Sequence, residues 1–96
     1  MRALILTSVL VVSALASLAE PLDDVGLECK RQLGLSDDGC NCIVEMAAEE
    51  LSEKQILFLL AKVRRDQQAE RDLGMVGGEA MQVVTFINTA PQLCLG

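Results

Sequence analysis

The sequence contains no histidine, no tryptophan and no tyrosine, and its aromatic complement is two phenylalanines, Phe58 and Phe86. Without an imidazole base there is no Ser/His or Cys/His nucleophile pair. Mixed Cys/His zinc sites are excluded for the same reason. Basic residues are scarce as well, with eight Lys and Arg against fourteen Asp and Glu. A surface of that sign repels nucleic acid and anionic lipid, both of which need cationic contacts. It suits a basic partner. No calcium loop of the D-x-D-x-D-G kind and no phosphate-binding Gly-rich loop with its lysine is present. These absences argue against an enzyme and against a cofactor.

One long apolar run exists, and it is at the N-terminus. Arg2 supplies positive charge, Ala3 to Leu18 is apolar apart from small hydroxyl residues, and Ser17-Leu18-Ala19 ends it with small side chains before Glu20-Pro21. This is the three-part pattern of a secretory signal. Residues 1–19 are read as a signal peptide and 20–96 as one folded domain. The run is at the short limit for a bilayer span and no basic stop-transfer cluster follows, so no stable membrane anchor is expected after cleavage. Removing 19 of 96 residues leaves 77, and removing Arg2 leaves seven basic against fourteen acidic side chains. The protein is therefore expected in the periplasm or outside the cell.

So small a domain, poor in aromatics, cannot bury much surface. Four cysteines in an exported chain of this size read as two disulfides. Cys29 precedes the close pair Cys40-Asn41-Cys42, and Cys94 lies near the C-terminus. A Cys40–Cys42 bond would need the helix opened, because side chains two apart on a helix diverge. Cys29–Cys40 with Cys42–Cys94 is favoured, since Cys29 ends one helix and Cys40 begins the next. The swap, Cys29–Cys42 with Cys40–Cys94, stays open on spacing alone.

Helical spacing accounts for the rest of the chain. Asp23 to Gln32 is expected as a first helix, with Val25, Cys29 and Leu33 on one face and Gly34 as its stop. Ser36 is an N-cap before a second helix from Asp37 to Glu50, with Cys40, Ile43, Val44, Ala47 and Leu51 inward. Ser52-Glu53-Lys54-Gln55 is a capping box for a third and central helix, whose stripe is Ile56, Leu59, Leu60 and Val63. Its polar continuation, Arg64 to Asp72, is expected to project into water as far as Gly74. Gly77-Gly78 reads as a flexible break before a fourth helix from Glu79 to about Thr89, ended by Pro91. The β-branched residues Val83, Val84, Thr85 and Ile87 also permit a strand, but no partner strand is in sight. The expected fold is all-α, a small four-helix domain closed by two disulfides after a cleaved signal peptide.

A signal, a small helical body and Cys94 near the C-terminus make an outline similar to that of the secretoglobins. The internal Cys40-Asn41-Cys42 departs from their pattern, so no residue role is carried over. Small acid-stress chaperones of the periplasm are similar in size and helical content, without shared motifs.

The functional expectation is a small exported non-enzymatic protein that binds another exported protein or a second copy of itself. Its interface would draw on Ile56, Leu57, Phe58 and Leu60, a run too apolar for one helix face, with the basic Arg64 and Arg65 beside it. A thiol–disulfide redox protein using Cys40 and Cys42 is the alternative, because a C-x-C bond is oxidising and helix N-termini favour thiolates. A carrier of a small ligand or a soft metal is a further alternative, although no methionine-rich motif supports the metal.

Overall fold

The computed structural model describes residues 19–95, and among them the chain forms five helices and no strand. Of the signal segment expected over residues 1–19, all but Ala19 lies outside the described residues. The first helix, α1, covers 19–33 and so reaches further toward the N-terminus than the pattern from Asp23 predicts. Pro21 is buried and Leu22 packs against the core, and this burial keeps the earlier residues helical. Asp23 and Asp24 thus sit within the helix rather than at its start. Gly34, at φ +64°, ends α1 in the left-handed region where glycine costs least.

The second helix, α2, runs Asp37–Glu50, as its pattern predicts. Ser36 Oγ accepts a hydrogen bond from Gly39 N at 3.1 Å and satisfies one of the free donors of the first turn. The third, α3, runs Glu53–Arg64. Both arms of its capping box form: Gln55 N donates to Ser52 Oγ at 3.2 Å and Ser52 N donates to Gln55 Oε1 at 2.9 Å.

The polar stretch after Val63 is not one solvated extension. Arg65 takes a left-handed conformation, φ 58°, and breaks the helix. Its N–H donates to Lys62 O at 3.1 Å and that of Asp66 to Ala61 O at 2.9 Å, the paired bonds of a Schellman stop. Asp66 then caps a short α4, Gln67–Leu73, by accepting from Ala69 N at 3.1 Å. This helix folds back against α3, with Ala69, Glu70 and Leu73 half-buried and Lys62 Nζ 3.0 Å from Glu70 Oε1. The helix count is therefore five rather than four. Sequence pattern alone misses the break because no Gly or Pro marks it.

The last helix, α5, runs Gly77–Leu93. The two glycines open it instead of forming a flexible break, and Pro91 lies inside it instead of ending it. Proline removes one ladder bond, but Cys94 N still donates to Ala90 O at 3.0 Å, and the disulfide at Cys94 holds the final turn in place.

Helix α3 packs on α4 and α5, and α5 packs on α2. Ile56, Ala47, Val83 and Ala90 are wholly buried where these helices meet. Burying an Ile or Val side chain is worth about 1.5–3 kcal/mol, so Ile56 and Val83 anchor the interior that the two phenylalanines only partly fill. Small residues decide one close approach. A Cβ on Gly39 would stand 3.1 Å from Cys94 O, so glycine there lets the end of α5 meet the start of α2.

Candidate functional site

Both disulfides form as favoured, Cys29–Cys40 and Cys42–Cys94, each with a Cα–Cα separation of 5.7 Å. The swapped pairing is overturned, and no cysteine is free. The two bonds leave α2 from within one turn, in different directions because side chains two apart on a helix diverge. One ties α2 to α1 and the other ties it to the end of α5. Cys94 Sγ also lies 3.4 Å from Met46 Sδ. Beside the first bond, Lys30 Nζ pairs with Asp37 at 2.7 Å across the link between α1 and α2 and lowers the Asp37 carboxyl pKa. The Cys40–Cys42 bond that a redox reading requires is not the one formed.

The expected interface residues divide. Ile56, Phe58 and Leu60 are buried within the helical core, and Lys62 Nζ sits 5.4 Å above the Phe58 ring. Leu57 remains 38% exposed, and Arg64 and Arg65 are at the surface. Leu57, Leu60 and Arg64 line one open groove of about 530 Å³ between the start of α1, α3 and α4, with Leu73 completing its floor. Its rim carries the carboxylates of Glu20, Asp24, Asp66 and Asp72 against the single guanidinium of Arg64.

That guanidinium is already engaged. Arg64 Nε donates to Glu28 Oε2 at 2.7 Å, and Arg64 Nη2 lies 3.9 Å from Asp24. Glu28 is the residue that sequence reasoning missed. Its side chain is 8% exposed, it accepts from Gln32 Nε2 at 3.0 Å through its other oxygen, and Arg31 stands 3.9 Å away. The hydrogen bond from Arg64, followed by that from Gln32, lowers the Glu28 pKa and outweighs desolvation. A signal for it existed. Val25, Glu28, Cys29 and Gln32 fall at i, i+3, i+4 and i+7, so two polar side chains share the inward face of α1, Glu28 buried and Gln32 at its exposed edge.

Glu28 forms part of the wall of a second hollow, a cavity of about 170 Å³ between α1, α2, α3 and α5. Apolar side chains make most of the lining, among them Val25, Ile43, Leu59, Phe86 and Ile87. Gln32 closes one side by donating also to Val63 O at 2.9 Å, which ties the end of α1 to the end of α3.

No protein-family model, curated protein or solved structure matches this chain.

At the opposite end Gln55, expected only as a capping residue, also acts as a brace. Gln55 is buried, and besides its capping role it donates through Nε2 to Gln82 Oε1 at 3.0 Å and to Glu79 O at 3.2 Å. Gln82 in turn donates to Glu50 O at 3.0 Å, so one amide pair joins α2, α3 and α5. Among the described residues no buried side-chain nitrogen or oxygen lacks a partner. Among the described residues, too, no helix is long and apolar enough to cross a membrane.

Proposed function

We propose that this protein is a non-enzymatic, disulfide-closed helical module of an oxidising compartment, periplasmic or extracellular, that binds a basic amphipathic segment of another exported protein. The observation behind this reading is the groove on α3 and α4. Its floor of Leu57, Leu60 and Leu73 is apolar, while four carboxylates and one guanidinium rim it. An amphipathic helix laid into such a groove buries its apolar face and turns its charges to the rim. Lysines or arginines on that helix are attracted there, and acidic side chains are repelled. The two disulfides fit an oxidising setting, where they persist.

The test is titration of the native protein with a synthetic helical peptide of leucines and lysines, followed by amide chemical shifts. The expected result is saturable binding, with shifts centred on Leu57, Asp66 and Leu73, that weakens as salt screens the rim. Leu57→Ala is expected to weaken it several-fold. Equal binding of the same peptide with glutamate in place of lysine refutes the proposal. So does concentration-dependent self-association through Leu57, which assigns the groove to a second copy of this chain.

A further inference from the structure

The cavity between α1, α2, α3 and α5 shares Leu60 with the surface groove but is otherwise lined by different residues, and it has an unusual wall. Its volume of about 170 Å³ is comparable to that of engineered apolar cavities of about 150 Å³ that take up benzene, but it opens to solvent beside exposed Gln32 and Leu33. Those cavities are lined by hydrocarbon alone. This one carries a carboxylate, Glu28, whose side chain is more than nine-tenths buried. Two of the carboxylate's acceptor positions are used, by Arg64 Nε and Gln32 Nε2. An ionised carboxylate offers about four such positions. Acceptor capacity therefore remains at the edge of an apolar space.

The charge of Glu28 is already compensated by Arg64 at 2.7 Å. A cationic ligand would bring a second positive group to a pair that is neutral in sum, and it would lose its own hydration in a hydrocarbon-lined space. An anion would be repelled by the carboxylate. A neutral ligand with one hydroxyl group meets neither cost. Its O–H can donate to the Glu28 carboxylate while its body fills the space against Ile43, Leu59, Phe86 and Ile87.

We infer that this cavity is a binding site for a small neutral hydroxyl compound, with a body the size of a single ring or a short branched chain, whose hydroxyl donates to Glu28. The site is separate from the proposed peptide groove, and each reading can fail without the other.

Phenol and toluene test it, because they have nearly the same shape and differ in the hydroxyl donor. The native protein is titrated with each while the methyl resonances of Ile43, Leu59 and Ile87 are followed. Phenol is expected to shift them saturably and to bind about ten-fold more tightly than toluene, the lower end for a hydrogen bond to a charged group. Glu28→Gln is expected to shrink that gap to about two-fold, since a neutral amide accepts more weakly. Toluene binding as tightly as phenol to the native protein overturns the inference, and so does the absence of saturable shifts with either compound up to its solubility. Both of those readings use the unaltered chain, so they stand even where Glu28→Gln fails to fold.

Discussion

The two disulfides close rings of very different size, which makes their separate removal informative. Cys29 and Cys40 are 11 residues apart, whereas Cys42 and Cys94 are 52 apart. Loop-closure entropy assigns about 3 kcal/mol to the short ring and about 4 kcal/mol to the long one. Packing biases the comparison the other way. Cys29 and Cys40 are both buried, while Cys42 is only half-buried, so replacing the first pair by alanine loses more contact. If Cys42→Ala with Cys94→Ala is nonetheless the more destabilising double variant, chain entropy is the larger effect. For a domain of this size, a loss of about 4 kcal/mol corresponds to a fall in Tm of roughly 16–32 °C. Small domains are often stable by only about 5 kcal/mol, so the long-ring variant keeps roughly 1 kcal/mol and is expected to be partly unfolded at 37 °C. Thermal and urea melts followed by far-ultraviolet circular dichroism measure this, since the chain has no Trp or Tyr to report by fluorescence. Equal melting of both double variants and the parent protein refutes the reasoning. A greater loss from the short ring refutes it as well.

Three further outcomes follow from named contacts. Gln55→Ala removes the side chain's bonds to Ser52 N, Gln82 and Glu79 O, and is expected to cost about 2–3 kcal/mol in a urea melt, whereas exposed Lys54→Ala stays within about 0.5 kcal/mol. The Glu28 carboxyl has a folded pKa below its ordinary value of 4.5, so its contribution to stability is fully present above that pH and is lost as pH falls through the lowered value. The stability of the parent protein should accordingly decline more steeply below pH 4.5 than that of Glu28→Gln, and parallel acid curves would contradict the assignment. Arg65→Gly relieves a left-handed residue at φ 58° and is expected to raise stability by about 0.5–1 kcal/mol, visible as a higher melting midpoint.

Much of the secondary structure was legible because it rests on local chemistry. Ser36 and Ser52 cap the helices they precede, and the three-and-four spacing of Cys40, Ile43 and Ala47 marks the face of α2 that is buried. The favoured cysteine pairing was legible in part, since a hairpin of α1 and α2 brings Cys29 to Cys40. Other features were not. The break at Arg65 depends on a Schellman stop made without glycine, and the persistence of α5 through Pro91 depends on an anchor at Cys94, 52 residues from its partner. Of the residues expected at an interface, Leu57, Leu60 and Arg64 line the groove, whereas Ile56 and Phe58 turn inward because α3 is covered on several sides.

By itself, then, the sequence determined an all-helical chain of acidic surface, with four sulfurs available for two bonds and several helix boundaries written in serine caps. Those properties depend on neighbours within one or two turns. Only the tertiary structure decided which sulfurs meet, that α4 folds back on α3, and that Glu28 lies buried against Arg64, 36 residues away, in the wall of an apolar cavity. Such outcomes depend on which helix faces pack together. The free energy of burying a carboxylate beside its guanidinium belongs to the pair once assembled, and neither residue signals it alone.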